Sequence, residues 1–173
     1  KCCHDYGVGK MVACLSTCIF PDKTTYPINE DMLHEGPPHT SNDAYAYAKR
    51  MLEIHCQAYR ENYGSNFVCV IPTNIYGPHD NFSLEDGHVI PSLIHKCYNA
   101  KFANEDFVVR GTGAPLRQFI YSVDLAKLIL WTLENINREN LILSVSEIQE
   151  VTIEYVAQLI ARAFKYESHI VFD

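Results

Sequence analysis

Two residues four positions apart, Tyr45 and Lys49, form the first pattern in this sequence that could do chemistry. On a helix, residues at this spacing lie on the same face. A phenol with a pKa of about 10 is a poor acid at neutral pH, and a neighbouring ammonium favours the phenolate. The pair could therefore exchange a proton with a carbonyl or hydroxyl oxygen during hydride transfer. Taken alone, the spacing also fits an ordinary surface tyrosine and lysine.

A second candidate group follows the apolar run 11–15 and consists of Ser16, Thr17 and Cys18. If the run is a buried parallel strand, these residues lie at its carboxyl end, where ligands bind in open α/β sheets. A hydroxyl there could hydrogen-bond a substrate carbonyl, and a thiol with a lowered pKa could act as a base. The alternative for Cys18 is a small buried filler, as most free cysteines are.

Three later segments also carry polar side chains that could meet a ligand. Asn74 follows the apolar run 67–71, which places it at the same sheet edge. His88 precedes a predicted helix and could act as a general acid, although a lone histidine is more commonly structural. Arg117 follows a glycine-rich turn, and its forked donors could bind a pyrophosphate. The alternative for Arg117 is a solvated side chain beside a β-hairpin turn.

The elements that must position these residues are typical of an α/β fold. Runs 11–15 and 67–71 are continuously apolar, which indicates parallel strands buried on both faces. Ser41 or Asn42 would begin a helix between them, and Gly64 would end it. The residues that recur along this helix at helical spacing are Met51, His55, Ala58 and Tyr59. Strand, long connection, helix and strand together make a βαβ crossover.

Further helices and strands follow in the second half of the chain. The predicted helices cover residues 89–101, 124–133 and 153–164, and Thr152 would cap the last of them. The predicted strands cover residues 107–109, 119–121, 141–145 and 169–172.

Composition limits the classes of partner. Of the 173 residues 47% are hydrophobic and 20% charged, which is a globular composition. A net charge of -7 argues against a nucleic-acid partner, because phosphate binding needs a basic face. No run approaches the roughly 18 apolar residues of a membrane span, so no membrane partner is expected. The seven cysteines are an odd number without zinc-site spacing, which indicates free thiols in a reducing cytoplasm and no metal.

In their order along the chain, these segments resemble the extended short-chain dehydrogenase/reductase family. The shared motifs are Ser-Thr-Cys after a strand, Tyr-x-x-x-Lys, Pro-Thr-Asn-Ile-Tyr-Gly-Pro and Arg-Gln-Phe-Ile-Tyr-Ser-Val-Asp. Within the family, residues 15–21, 76–82 and 87–91 are similar to the epimerase-reductases that act on GDP-linked 4-keto-6-deoxy sugars. The resemblance covers essentially the whole chain, and the combination of motifs is specific although each motif alone is not.

The resemblance implies catalytic roles for five residues in an NADPH-dependent 3,5-epimerisation and 4-reduction. Tyr45 would donate the proton of the reduction, and Lys49 would be its partner and a ligand of the nicotinamide ribose. Ser16 would bond the 4-keto oxygen. Cys18 would be the base and His88 the acid of the epimerisation.

The resemblance also implies two sets of binding residues. The NADP(H) site would be lined by Cys14, Leu15, Ser16, Thr17, Lys49, Pro72, Thr73, Asn74, Ile75 and His88. The GDP-sugar would be contacted by Asn74, Lys96, Arg110 and Arg117. Arg110 departs from a tryptophan that is associated with this position in bacterial members.

The family resemblance further predicts the organisation of the chain. Residues 1–88 would be the C-terminal half of a Rossmann-like NADP-binding domain with the catalytic residues. Residues 89–173 would mainly form a smaller α/β lobe for the GDP-sugar, with some strands and helices returning to the first domain. A cytoplasmic homodimer built on helices like the one that carries Tyr45 is the implied assembly.

One departure from the family is large. Its members begin with a strand and a Gly-x-x-Gly-x-x-Gly loop that binds the cofactor pyrophosphate, and no such loop occurs here. We therefore expect a fragment that lacks the first βαβ units, binds NADPH weakly, dissolves poorly and is inactive alone. Two alternatives remain: a UDP-sugar 4-epimerase or 4,6-dehydratase of the same superfamily, and a truncated reductase-like module without catalysis.

Overall fold

The computed structural model describes residues 1–137 and 140–173, leaving aside the side chain of Glu147. The helices are α1 (Cys2–Asp5), α2 (Asp43–Tyr63), α3 (Val89–Ala103), α4 (Ser122–Asn135) and α5 (Ile153–Phe164). The strands are β1 (Met11–Cys14), β2 (Phe67–Pro72), β3 (Asn74–Tyr76), β4 (Phe107–Val109), β5 (Leu116–Arg117), β6 (Phe119–Tyr121), β7 (Asn140–Leu143), β8 (Val151–Thr152) and β9 (Ile170–Phe172). The predicted α/β class is confirmed.

The chain divides into two compact units. The first contains residues 1–73 and 123–144, and the second contains residues 74–122 and 145–173. The functional division predicted at residue 88, between cofactor and substrate binding, stays a prediction. No described helix is both long enough and apolar enough to cross a bilayer.

A parallel sheet in the order β1–β2–β7 forms the centre of the first unit. Every residue of the central strand β2 is buried, as its unbroken apolar run predicts. Strand β1, with one neighbouring strand in this sheet, is less enclosed, and Cys14 at its end is exposed. The expectation of burial on both faces is therefore correct for β2 and wrong for the end of β1.

Helix α2 covers the sheet of the first unit with a partly polar face. Its buried residues are Ala46, Arg50, Glu53 and Cys56. Of the predicted periodic residues, Met51 and His55 are exposed. The other two, Ala58 and Tyr59, are half-buried, and Tyr59 packs against the core. The prediction is therefore wrong for Met51 and His55 only; the buried face contains two charged side chains held by polar contacts.

The two ends of α2 differ in how they are capped. Gly64 ends the helix in the left-handed conformation (φ 65°), as predicted for a residue without a Cβ atom. At the other end a short 3-10 turn, Thr40–Asn42, leads into the helix, and Asn42 makes no side-chain capping bond. Of the two predicted N-cap residues, Asn42 does occupy the N-cap position, although without a side-chain bond, and Ser41 does not.

The second unit contains three short strand pairs and two helices, α3 and α5. Pairs β3–β6 and β4–β9 are parallel, and β5–β8 is antiparallel. The core between α3, α5 and β4 includes Cys97, Phe107, Val109, Ala157 and Ala161. The predicted strands near β4, β6 and β9 are confirmed within one or two residues. Strands β5 and β8 were not predicted, because two residues are too few to show a period. Strand β3 was not predicted because its sequence, Asn-Ile-Tyr, is not a continuous apolar run.

The predicted cap of α5 generates a stability test. The Thr152 hydroxyl accepts a hydrogen bond of 3.0 Å from the Tyr155 amide. Thr152→Ala should lower the free energy of unfolding by about 1 kcal/mol, because an amide of the first turn loses its acceptor. Urea denaturation followed by circular dichroism measures the change. Thr152→Ser, which keeps the hydroxyl, is the control; equal losses in both variants would contradict the capping role.

Candidate active site

Within the first unit, Lys49 joins helix α2 to the end of strand β1. Its ammonium Nζ donates a hydrogen bond of 2.8 Å to the carbonyl oxygen of Cys14, the last residue of that strand. The same Nζ lies 5.8 Å from the centroid of the Tyr45 ring, which is 46% exposed. The predicted tyrosine–lysine pair therefore sits at the carboxyl end of β1 with its phenol open to a ligand.

The segment after β1 turns sharply and presents small polar side chains. Leu15 is buried and its amide donates to Val70 on β2, 2.8 Å away, which continues the sheet. Ser16 then begins the 3-10 turn Thr17–Ile19, and its hydroxyl accepts from the Cys18 amide at 3.4 Å. The Cys18 side chain is exposed, so the alternative of a small buried filler is wrong for this residue.

Environment separates the cysteines chemically. All seven are free, and Cys56, Cys69 and Cys97 are buried. A hydrogen bond with Cys56, together with burial, raises the pKa of Cys69, and burial raises that of Cys97. Thiols held in the protonated form are poor nucleophiles and bases. The hydrogen bond with Cys69 lowers the pKa of Cys56, but that thiol is buried. Cys18 differs from all three because it is exposed, in the turn that follows β1.

The end of β2 carries an unsatisfied polar atom. The Thr73 amide donates to the Leu143 carbonyl at 3.1 Å, but the buried Thr73 hydroxyl has no hydrogen-bond partner among the described residues. A buried polar group without a partner costs about 1–3 kcal/mol. A ligand with a donor or acceptor at this point would remove that cost, so the sheet edge fits a polar cofactor. Leu15 and Pro72 are buried, so they would line it mainly through their backbones.

Two predicted ligand residues begin the second unit. The exposed Asn74 donates through its amide to the Gln118 carbonyl at 2.9 Å, and Ile75 is 41% exposed. At Gly77 an added Cβ atom would lie 2.2 Å from the Ser122 hydroxyl oxygen, so only glycine allows this approach of the two segments.

The loop that precedes His88, residues 81–87, is stabilised by hydrogen bonds within itself. Asn81 accepts from the Ser83 amide at 3.0 Å, and the Ser83 hydroxyl accepts from the Glu85 amide at 3.2 Å. Hydrogen bonds from the Ser83 and Asn81 side chains lower the pKa of the Asp86 carboxyl, which keeps it ionised as an acceptor. His88 itself is exposed at the N-terminus of α3 and makes no capping bond. Its imidazole is therefore open to solvent.

The predicted GDP-sugar residues of the second unit are dispersed over three elements. Lys96 is half-buried on α3, and Arg110 is exposed after β4. Arg117 is exposed on β5, with one guanidinium nitrogen donating to the Leu116 carbonyl at 2.8 Å. Their roles in binding stay predictions.

Sequence reasoning missed two residues near these candidates. Arg50 is buried and its Nε donates to the Ile19 carbonyl at 2.7 Å, at the end of the Cys18 turn. Arg50 lies on the same helix face as Ala46 and Glu53, and this spacing could have indicated a buried face. From the sequence alone, however, a face of mixed polarity is hard to distinguish from a solvent-exposed one. Gly87 closes the loop before His88, and the signal there is the run of Asn, Ser, Asp and Gly.

A family model and several relatives match this chain. The model described as the NAD dependent epimerase/dehydratase family matches residues 1–145. The chain belongs to this family. It is 60% identical to the GDP-L-fucose synthase of Dictyostelium discoideum over 173 residues, which is 99% of this chain and 54% of that protein. It is 50% identical to the probable GDP-L-fucose synthase of Drosophila melanogaster over 178 residues, 98% of this chain and 56% of that protein.

A solved structure agrees with the fold of this epimerase/dehydratase family member. The crystal structure of a GDP-L-fucose synthetase from Naegleria fowleri bound to NADP matches with a TM-score of 0.96 and 56% identity. The match covers 99% of this chain and 56% of that one. The predicted Rossmann-like parallel sheet is therefore confirmed. The chain spans about half the length of the curated relatives it matches.

The loop before His88 generates a prediction about Gly87. An added Cβ atom would lie 2.3 Å from the Ser83 carbonyl oxygen and 2.7 Å from that of Asn81, so the loop must open to admit it. Gly87→Ala should therefore lower the free energy of unfolding by about 1–3 kcal/mol, as steric strain does. Urea denaturation measures it. The control is Gly9→Ala, where no atom lies within 4 Å of the added group. Similar small losses in both variants would show that the loop tolerates the methyl group.

Proposed function

We propose that the full-length protein converts GDP-4-keto-6-deoxy-D-mannose into GDP-L-fucose by 3,5-epimerisation and NADPH-dependent 4-reduction. The observation that carries the proposal is the hydrogen bond from Lys49 to the Cys14 carbonyl. It brings the tyrosine–lysine pair to the strand end that continues into Ser16 and Cys18. The names of the similar proteins support the choice of reaction and of the GDP-linked sugar.

The proposed cofactor is NADP(H), which supplies hydride to C4 of the sugar when bound. The NADP in the Naegleria relative supports this choice, and so does the unpartnered Thr73 hydroxyl at the end of β2. The chain would bind the cofactor with residues at the ends of β1 and β2 and with the Lys49 ammonium. The proposed cofactor-binding residues are Cys14, Leu15, Ser16, Thr17, Lys49, Pro72, Thr73, Asn74, Ile75 and His88.

In the reduction, Tyr45 is proposed to give its phenolic proton to the oxygen on C4 as that oxygen becomes a hydroxyl. The neighbouring Lys49 ammonium stabilises the phenolate left behind, which makes the phenol a stronger acid. The Ser16 hydroxyl donates a hydrogen bond to the same oxygen. Both donors stabilise negative charge where it develops.

In the epimerisation, the keto group at C4 acidifies the protons on C3 and C5. The Cys18 thiolate is proposed to remove each of these protons in turn, and His88 to return a proton to the opposite face of the ring. The charge rests on the C4 oxygen between the two transfers, where Ser16 and Tyr45 stabilise it. Cys18 then loses its proton to solvent and His88 regains one, so deuterium from heavy water enters the sugar.

The remaining proposals concern binding and assembly. Lys96, Arg110 and Arg117, with Asn74, are proposed to contact the GDP-sugar, as cations suit a diphosphate. A homodimer is supported by an exposed apolar stripe on α2 that consists of Tyr47, Met51 and Ile54, which are 50%, 50% and 43% exposed. A cytoplasmic location is supported by the free cysteines.

Tyr45 provides the test of the reduction. In the full-length protein, Tyr45→Phe should lower kcat for NADPH oxidation by ~10²–10⁴, because the proton donor is lost while the ring remains. The control is Tyr63→Phe, an exposed tyrosine at the other end of α2. Substrates linked to GDP and to UDP are compared in the same assay. Wild-type turnover in Tyr45→Phe would exclude Tyr45 as donor, and a preference for the UDP-sugar would contradict the proposed substrate.

Cys18 provides the test of the epimerisation. A serine hydroxyl is a far weaker base than a thiolate, so Cys18→Ser should stop deuterium entering C3 and C5 in heavy water. NADPH should still be consumed slowly, because direct reduction needs no base at those carbons. Cys2→Ser, which changes an exposed cysteine on α1, is the control. Unchanged deuterium incorporation in Cys18→Ser, read by mass spectrometry, would show that another group is the base.

A further inference from the structure

Arg50 is a buried cation on helix α2, and its guanidinium carbon lies 5.7 Å from the centroid of the Tyr47 ring. Its side chain is 7% exposed and lies on the same helix face as Ala46 and Cys56, where an apolar residue would fit. Burial lowers the pKa of its guanidinium, which means that the site disfavours the charge. One guanidinium nitrogen, Nη2, is buried with no hydrogen-bond partner among the described residues. A buried cation with an unbonded nitrogen costs stability, so its presence calls for another explanation.

A hydrogen bond from Arg50 joins α2 to the turn that carries Cys18. Its Nε donates to the Ile19 carbonyl oxygen at 2.7 Å. The preceding residue, Lys49, donates to the Cys14 carbonyl oxygen at 2.8 Å. Two consecutive residues of one helix therefore hold the two ends of segment 14–19. Neighbouring helical residues point about 100° apart, which lets one reach the strand and the other the turn.

The turn has little internal support of its own. The Ile19 amide donates to the Ser16 carbonyl at 3.1 Å, the Phe20 amide to Thr17 at 3.2 Å, and the Cys18 amide to the Ser16 hydroxyl at 3.4 Å. Hydrogen bonds of a 3-10 turn have poorer geometry than those of an α-helix. Outside contacts therefore support this turn, and they include the burial of Ile19 and Phe20 in the core of the first unit. The bond from Arg50, at 2.7 Å, is shorter than these three bonds and shorter than the Lys49–Cys14 bond of 2.8 Å.

We infer that Arg50 is a positioning residue that fixes the Cys18 end of the turn through the Ile19 carbonyl, while Lys49 fixes the end that precedes Ser16. The inference rests on the proposed function for its catalytic consequence. Loss of Arg50 displaces the proposed base, Cys18, more than it displaces Ser16 and Tyr45, which bond the C4 oxygen. The epimerisation therefore depends on Arg50 more strongly than the reduction does.

The structural part of the inference is tested by hydrogen exchange, which needs no activity. Arg50→Met replaces the cation by an apolar side chain, and Arg50→Lys keeps a cationic nitrogen that can donate to the Ile19 carbonyl. In the full-length protein, amides of residues 16–20 should exchange about tenfold faster in Arg50→Met, while those of β2 stay unchanged. The control is Arg60→Lys, which alters a bond of 2.8 Å from the same helix to the Phe67 carbonyl. Wild-type exchange of residues 16–20 in Arg50→Met would overturn the inference.

The catalytic part is tested by the ratio of two rates. Deuterium incorporation at C3 and C5 should fall about tenfold or more in Arg50→Met, because small displacements of a reacting group are costly. NADPH oxidation with the 4-keto sugar should fall less than about threefold, and Arg50→Lys should recover part of the deuterium incorporation. Arg60→Lys should keep the wild-type ratio. A parallel loss of both rates would make Arg50 merely structural and overturn the inference.

The two measurements separate this inference from the proposed function. If the wild-type protein neither exchanges deuterium nor oxidises NADPH, the proposed function fails. Faster exchange of residues 16–20 in Arg50→Met would then still support Arg50 as the support of the turn. If Arg50→Met does not fold, the same comparisons are made with Arg50→Leu, which also lacks a donor, and wild-type exchange together with a wild-type ratio of rates in that variant would overturn the inference.

Discussion

The candidate chemistry depends first on a single hydrogen bond, from the Lys49 ammonium to the carbonyl oxygen of Cys14. The last carbonyl of β1 fixes the position of the Lys49 ammonium. Tyr45 lies one helical turn earlier on the same face of α2, so it lies near the same strand end. A cation held in this way has less rotameric freedom than a solvated lysine. The geometry in turn requires the parallel pairing of β1 with β2 and the packing of α2 on that sheet.

Further along α2, a charged side chain on the buried face makes polar contacts with other parts of the first unit. Glu53 is 3% exposed and accepts from the Asn140 amide at 3.2 Å, and one of its oxygens lies 2.9 Å from His34 Nε2. The connection between β1 and α2, which includes His34, is thereby tied to the helix and to β7. Buried polar contacts of this kind contribute little net stability but are directional. They select one arrangement of a connection that apolar packing alone would leave less defined.

The sequence predicted best those features that depend on local backbone chemistry. Continuous apolar runs located β1 and β2, Gly64 located the end of α2, and Thr152 located the start of α5. The four-residue spacing of Tyr45 and Lys49 identified the pair before the structure showed the lysine at the strand end. Each of these features is determined by a residue and its immediate neighbours.

Features that depend on contacts distant in sequence were not predictable in the same way. The buried face of α2 contains Arg50 and Glu53, whose partners lie far along the chain, and a search for periodicity did not select them. Strands as short as β3 are defined by their pairing partner, which is β6 in this case. The roles of the candidate residues in binding and catalysis come from similarity and remain proposals.

A double-mutant cycle on Tyr45 and Lys49 tests the central claim, that the two residues work as one unit at the strand end. Single-turnover hydride transfer is measured in the full-length protein for Tyr45→Phe, Lys49→Met and the double variant. If the lysine acts through the phenol, the double variant should be about as slow as the slower single variant. If the two losses multiply instead, the residues act independently, and the central role given to the Lys49–Cys14 bond is contradicted.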